Sequence, residues 1–117
     1  MDATLAKKLL LKTGTAFSVM SAPDEHRVLL EGAGAVKDAG LVLVYAVSQA
    51  DVVGRVPELT KILRPSARLW VAYPKARKLG TDLNRDILVG LMREHGFEPA
   101  RMISIDGTWS AMWFNTR

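Results

Sequence analysis

The stretch Leu41–Val47 reads LVLVYAV, seven apolar or aromatic residues in succession. A strand with one solvated face would alternate apolar and polar side chains, and this run does not alternate. Such a run is typical of a central parallel strand that is covered on both faces. A second run, Ala67–Tyr73 (ARLWVAY), ends at Pro74. The two runs predict a parallel sheet with helices packed against it.

A helical pattern separates the two runs, and another follows the second run. Ser48 or Asp51 can cap the first helix, and Pro57 either kinks it or opens its second segment. The next helix is predicted to start at Thr81 or Asp82. In each helix apolar residues recur every three or four positions and form a stripe. The stripe of the first helix is Val52, Val56, Leu59 and Ile62, and that of the second is Leu83, Ile87 and Leu91. Gly96 is the glycine expected just past the end of the second helix.

The segment before the first buried run is less regular. Its pattern predicts a helix over residues 5–11 that Thr4 caps, a short strand over residues 16–20 and a short helix over residues 24–31. Between residues 24 and 40 the pattern leaves open whether an additional strand is present.

The end of the chain predicts a hairpin. Residues 101–106 and 108–114 are strand-like and are joined at Asp106-Gly107, a strong signal for a tight turn. Alternation of strands and helices followed by a hairpin is the order of a doubly wound sheet whose last strand runs against the others. We therefore expect a single domain over residues 1–117 of the α/β class. It should have three layers and a mostly parallel, Rossmann-like sheet with a C-terminal antiparallel hairpin.

Composition narrows the function. The 117 residues contain no cysteine, which removes disulfides and thiolate catalysis. The apolar stretch near the start is too short for a secretion signal or a membrane span, so a cytoplasmic location without membrane contact is expected. The net charge of +4 favours weak association with phosphate-rich partners. Only residues 75–78 (KARK) form a basic cluster, however, so nucleic-acid binding is possible but not favoured.

Several motifs carry a resemblance to known families. LRPSA (63–67), RLWVAYPK (68–75), HGF (95–97) and the closing hairpin are similar to the second half of class I S-adenosylmethionine methyltransferases. The stretches 7–9, 69–75, 81–86 and 106–111 resemble more closely an uncharacterised bacterial domain-of-unknown-function family of about this length. The resemblance implies a methyltransferase-like architecture and no particular activity.

The sequence departs from true methyltransferases where those enzymes bind their cofactor. They carry a glycine-rich loop after the first strand and an acidic residue that ends the second. Here the loop position reads Met20-Ser21-Ala22-Pro23, and no clear second strand with a terminal carboxylate follows. Gly32 and Gly34 are interpreted as a turn. We therefore expect no cofactor in the standard mode.

The loop over residues 73–82 is the best candidate binding site. It places cations before a helix N-terminus, whose free N–H groups also attract anions. Lys75 is predicted to be the first ligand-facing cation and Arg85 the second, while Tyr73 offers a hydrogen bond or a stacking surface. The alternative is that Asp82 pairs with Lys75 or Lys78 and that Thr81 only caps the helix.

The hairpin supplies the other candidate residues. Asp106 is either a turn residue or a carboxylate aimed at the basic loop, and turns favour aspartate. Trp109 and Trp113 share one face of the last strand and form either a stacking platform or part of the core beneath a helix. No metal site is expected, because His26 and His95 lack any spacing typical of metal ligands.

Three functions remain. The preferred one is a non-catalytic or cryptic small-molecule module that binds an anion or a protein partner at Lys75. The second is a nucleic-acid-binding domain that uses Lys75, Arg77, Lys78 and Arg85, with Trp109 for stacking. The third is a minimal methyltransferase. An exposed final strand could also allow edge-to-edge homodimers.

Overall fold

A computed structural model describes residues 1–75 and 78–116. In the described residues the chain forms α1 (Ala3–Lys8), β1 (Phe17–Met20), β2 (Leu41–Tyr45), α2 (Gln49–Ile62), β3 (Arg68–Pro74), α3 (Arg85–Glu94), β4 (Phe97–Ser104) and β5 (Trp109–Thr116). Three 3₁₀ turns over Asp24–His26, Val28–Leu30 and Val36–Asp38 link β1 to β2. Residues 24–40, all described, contain no strand, which answers the question left open by the sequence.

The strands form one sheet in the order β1-β2-β3-β5-β4. The pairs β1/β2 and β2/β3 are parallel, whereas β5 runs antiparallel to both β3 and β4. β1, β2, β3 and β4 therefore run in the same direction. Their carboxyl ends lie at one side of the sheet, here called the carboxyl edge. The opposite side, where these strands begin, is the amino edge. The predicted α/β class with a closing antiparallel hairpin is confirmed.

Helical layers cover both faces of the sheet. Val42 and Val44 of β2 pack in the cluster that contains the buried residues of α2 and α3. Leu41, Leu43 and Tyr45 point the other way, into a cluster with Leu5 and Leu9 from α1 and its end, and with Leu30. All five residues of β2 are buried. The absence of alternation in LVLVY thus has the predicted cause.

The N-terminal elements differ from the expected ones. Asp2 caps α1 in place of Thr4, because its carboxylate accepts a hydrogen bond from the Leu5 N–H at 3.0 Å. The predicted helix over residues 24–31 consists of two 3₁₀ turns. Val28, which the pattern places in the apolar part of that helix, is 77% exposed, so the segment lacks the buried face that stabilises a longer helix.

The predicted start of α3 is also wrong. Asn84 caps this helix and accepts a hydrogen bond from the Ile87 N–H at 2.9 Å. Arg85 is therefore the first helical residue. Ser48 caps α2 as expected, and Pro57 lies inside a helix that continues to Ile62.

The hairpin strands are longer than predicted, and the exposed strand is not the final one. β5 lies between β3 and β4, so β4 is one edge strand of the sheet and β1 is the other. β4 passes through Pro99, with a register irregularity between Pro99 and Arg101. Proline is tolerated in an edge strand because the missing N–H faces solvent, and it discourages pairing with another chain.

Candidate functional site

The carboxyl edge carries two polar clusters, one closed and one open. The closed one is the His26 cluster, made of His26, Tyr45, Asp106 and Trp109. His26 Nδ1 lies 2.7 Å from the Tyr45 hydroxyl, and its Nε2 lies 2.6 Å from Asp106 Oδ2. The second carboxylate oxygen of Asp106 accepts hydrogen bonds from the backbone N–H groups of Thr108 and Trp109, both at 2.8 Å. Separate segments of the chain thus meet at one imidazole.

Electrostatics fixes the direction of the hydrogen bonds in the His26 cluster. Burial of Tyr45 raises the pKa of its phenol, and the charges of Asp106 and Glu25 raise it further. Burial also acts to raise the pKa of Asp106, but the hydrogen bonds from His26, Thr108 and Trp109 outweigh it and hold that pKa below its ordinary value. An ionised carboxylate only accepts, so Nε2–H donates to Asp106, and in that neutral tautomer of the imidazole Nδ1 accepts from the Tyr45 hydroxyl.

The His26 cluster is closed to ligands. Tyr45 and His26 are 1% and 2% exposed, and Trp109 packs edge-on against Tyr45 with ring centroids 5.1 Å apart. Only the Asp106 side chain, 41% exposed, reaches solvent. Asp106 binds His26 and two N–H groups of its own turn, and Trp109 is 3% exposed and offers no stacking platform. Trp109 belongs to the core beneath α1, which was the alternative interpretation.

The open cluster is the Lys75 groove, a surface depression of about 380 Å³. Its walls are the end of β3, the start of α3 and the adjoining parts of β4 and β5. The lining residues are Tyr73, Lys75, Asn84, Arg85, Asp86, Met102 and Ser110. Three of the predicted site residues, Tyr73, Lys75 and Arg85, are therefore brought together.

Lys75 is held at the rim of this groove by neighbouring strands. Its Nζ donates to Ser104 Oγ at 2.7 Å, and its backbone N–H donates to the Thr108 carbonyl at 2.7 Å. An ammonium group has three donors, so the hydrogen bond with Ser104 leaves capacity for an anion.

The groove is polar and carries opposing charges. Burial raises the pKa of Tyr73, while a hydrogen bond with Ser110 and the charge of Arg85 oppose that rise. The Tyr73 hydroxyl donates to Met102 Sδ at 3.0 Å. Arg85 Nε lies 3.4 Å from Asp86 Oδ1, and both side chains are largely exposed. An exposed pair of this kind is weak and can rearrange around a ligand.

The other predicted loop residues do not line the groove. Asp82 Oδ1 accepts from the Gln49 N–H at 3.0 Å, and its backbone carbonyl accepts from Gln49 Nε2 at 3.0 Å, so this residue ties the loop to α2. Thr81 Oγ1 accepts from the Leu83 N–H at 3.2 Å and stabilises a local turn. Lys78 is exposed, and its N–H donates to the Lys75 carbonyl. Arg77 lies outside the described residues.

The part of the chain that the structure describes contains no metal-binding cluster and no membrane-spanning helix. No group of three or more histidine, cysteine, aspartate or glutamate side chains in residues 1–75 and 78–116 could hold a metal ion. His95 Nδ1 lies 2.8 Å from the Leu91 carbonyl and completes the end of α3. None of the described helices is long and apolar enough to cross a membrane.

Solved structures share this fold. The mitomycin 7-O-methyltransferase MmcR aligns with a TM-score of 0.58 and 17% identity over 89% of this chain and 50% of its own. LepI, solved in complex with SAM, aligns with a TM-score of 0.52 and 9% identity over 97% of this chain and 39% of its own. At these identities the likeness shows the fold alone. The chain thus has a methyltransferase-like Rossmann architecture and spans half or less of the length of these structures.

No protein-family model and no curated protein sequence matches the chain. The expected likeness to a domain-of-unknown-function family therefore gains no support. What the comparisons do support is the coarser statement that the architecture is that of the methyltransferases.

The residues at the usual cofactor position do not fit S-adenosylmethionine in the standard mode. The turn after β1 contains Pro23, which has no N–H to donate, and Ser21 occupies the left-handed region with φ of 62° in a loop where methyltransferases carry glycine. The end of β2 offers no free carboxylate, because Asp51 accepts from the Val47 N–H and pairs with Arg55.

Proposed function

We propose that this chain is a small-molecule module that binds an anionic ligand, a phosphate or carboxylate, in the Lys75 groove. The observation that carries the proposal is the placement of Lys75 and Arg85 on two sides of one open depression. Tyr73 and Ser110 form polar parts of its wall, and α3 begins beside it at Arg85, where the first backbone N–H groups have no acceptor within the helix.

The position of the groove agrees with how open α/β sheets bind ligands. Such sheets take ligands outside the carboxyl ends of their strands. β3 ends at Pro74 and β4 at Ser104, directly beside Lys75. At about 380 Å³ the groove lies within the usual range of roughly 300–1,000 Å³ for ligand sites. Asp86 limits the net positive charge, which supports a ligand with both an anionic and a neutral polar part.

A thermal-shift screen tests the proposal. Inorganic phosphate, pyrophosphate, nucleoside monophosphates and small carboxylates are each titrated against the protein. A ligand at about ten times its Kd stabilises the folded state by about 1.4 kcal/mol, a rise in Tm of several degrees for a domain of this size. We expect at least one of these anions to give that rise.

Matched variants locate the effect. Lys75→Gln and Arg85→Gln each remove a cation of the groove and should abolish the shift, whereas Lys7→Gln removes an exposed cation of α1 and should leave it unchanged. The proposal fails if no anion stabilises the protein, or if Lys7→Gln and Lys75→Gln reduce the shift equally.

The fold favours a second candidate, a minimal methyltransferase. Isothermal titration calorimetry with S-adenosylmethionine separates the two. Because Pro23 and the side chains of Ser21 and Ala22 obstruct the loop position, we expect no heat of binding. A measurable heat that Ser21→Arg removes would favour the second candidate over the first.

A further inference from the structure

The amino edge of the sheet, opposite the Lys75 groove, contains two adjoining cavities. The larger one, about 320 Å³, lies between the end of α2, the start of β3 and the end of β5. The smaller one, about 190 Å³, lies between the end of α1 and the start of β2. Ser66 and Arg68 line both cavities, so this pair forms the wall that divides them.

Arg68 is held in place by its neighbours. Its guanidinium lies 4.1 Å from the ring centroid of Trp113, in a cation–π contact, and Trp113 itself packs against Trp70 with ring centroids 6.3 Å apart. Arg68 Nη1 also donates to the Leu10 carbonyl at 3.2 Å. The guanidinium is planar and has five N–H donors, so most of them remain for a ligand. A fork held in this way loses little conformational freedom when an anion binds.

Arg64 adds a second guanidinium to the larger cavity. The residue is exposed, and its Nη1 donates to the Asp38 carbonyl at 3.3 Å. Within residues 1–75 and 78–116, neither Arg64 nor Arg68 has a carboxylate within 4.0 Å, in contrast to Arg85 beside Asp86 at the other edge. Lys12 lines the smaller cavity and brings a third cation to this edge. Among the residues that the structure describes, the positive charge here is thus less compensated by carboxylates than at the Lys75 groove.

We propose that the amino edge binds the phosphate groups of a nucleotide ligand, with Arg64 and Arg68 as the forks that hold them. Guanidinium groups match phosphate oxygens in a bidentate geometry, and the hydroxyls of Ser66 and Thr15 supply further donors. The larger cavity is at the lower end of the range for ligand sites, which suits a phosphate with one attached ring. Two cavities on either side of Arg68 suit two successive phosphates.

The cation and the aromatic ring that favour nucleotide binding lie together at the amino edge, away from the place that the sequence predicts. The sequence pattern paired Trp109 with the cations of residues 75–85, but Trp109 is buried. The aromatic residue that does lie against a cation is Trp113, through Arg68. A guanidinium plane stacked on tryptophan can itself stack with a base on its outer side.

The competing explanation is structural, since Arg68 also ties the end of α1 to β3 and β5. Fluorescence anisotropy with a labelled oligo-dT of about eight nucleotides, at low salt, separates the two roles. We expect Arg68→Gln and Arg64→Gln each to weaken binding by roughly tenfold and to reduce the salt slope by about 0.7 for each phosphate that the variant no longer neutralises. Arg101→Gln, which removes an exposed cation from β4, should change Kd by less than about twofold.

Two further measurements keep the test decisive. Titration with dTMP shows whether the phosphate comes from a free nucleotide or from a strand, and binding of either probe with dependence on Arg68 supports the proposal. Circular dichroism checks folding, and if Arg68→Gln does not fold, Arg68→Lys and Arg64→Gln replace it. The proposal is overturned if neither probe binds at low salt, if Arg101→Gln weakens binding as much as Arg64→Gln, or if Lys75→Gln removes it while the arginine variants do not. The last result would leave the Lys75 groove intact as a site.

Discussion

The His26 cluster and the Lys75 groove lie at the same edge of the same sheet, yet they treat polar side chains in opposite ways. In the cluster, each ring nitrogen of His26 has a partner within 2.7 Å, and the residue is 2% exposed. In the groove, Arg85 and Asp86 are largely exposed and 3.4 Å apart. The first arrangement pairs its imidazole, phenol and carboxylate with one another, and the second leaves its charged groups in contact with solvent.

The two regions show that residue types common in catalysis do not by themselves make an active site. The hydrogen bonds follow the order of a nucleophilic triad, in which an imidazole links a hydroxyl to a carboxylate. Here these groups belong to His26, Tyr45 and Asp106. Here the residue whose hydroxyl would attack is 1% exposed, so no substrate reaches it. A buried network in which the imidazole, the phenol and the carboxylate are all hydrogen-bonded fixes the mutual placement of chain segments instead. The cluster therefore holds the turns after β1 and the hairpin tip against β2.

Removal of the imidazole is expected to have the largest effect on stability. His26→Ala leaves a cavity and strips the Tyr45 hydroxyl and Asp106 of their shared partner, so the free energy of unfolding should fall by about 3 kcal/mol. Urea denaturation followed by circular dichroism measures this. His95→Ala, at the end of α3, is the control and should cost less. Equal losses in the two variants would contradict the structural role assigned to His26.

The second largest effect on stability is expected from removal of the Tyr45 hydroxyl. Its pKa is raised in the folded chain above the ordinary value of 10.0, so above that pH the unfolded state releases a proton that the folded state retains. The stability this group contributes is present below that pH and is lost as pH rises further. Tyr45→Phe should cost about 1–2 kcal/mol at neutral pH, because Nδ1 of His26 loses its donor.

The same variant should also flatten the alkaline decline in stability. Urea denaturation between about pH 8 and 11 measures it, with Tyr73→Phe as the comparison, because Tyr73 also has a raised pKa but lies at the open groove. An unchanged alkaline slope in Tyr45→Phe would show that the phenol does not titrate as the His26 cluster requires.

The sequence predicted the fold well where tertiary packing requires a recognisable local sequence pattern. The uninterrupted run in β2 reflects burial on both faces, and Asp106-Gly107 marks the hairpin turn. It failed where short-range signals compete. Asp2 and Thr4 can both cap α1, and Thr81, Asp82 and Asn84 can all cap α3, so the choice depends on contacts such as the one between Asp82 and Gln49.

The candidate site was predicted only in part, for the same reason. Tyr73, Lys75 and Arg85 were found because the carboxyl ends of strands and a helix start are visible in the pattern. The role of His26 was missed, since its partners lie 19 and 80 residues away in sequence. The one available signal was Tyr45, a hydroxyl inside a fully buried strand, which must find a hydrogen-bond partner.

The smallest effect on the free energy of unfolding is expected for Arg85 in the open groove. Arg85→Gln removes a cation that pairs with Asp86 only at the surface, so the free energy of unfolding should change by less than about 0.5 kcal/mol. The residue is the first of α3, where a positive charge opposes the helix dipole, so loss of the charge also contributes a small stabilisation. Urea denaturation at neutral pH with His26→Ala measured in parallel gives the contrast. A loss in Arg85→Gln approaching that of His26→Ala would mean that the groove, like the cluster, serves to hold the fold together and keeps no donors for a ligand.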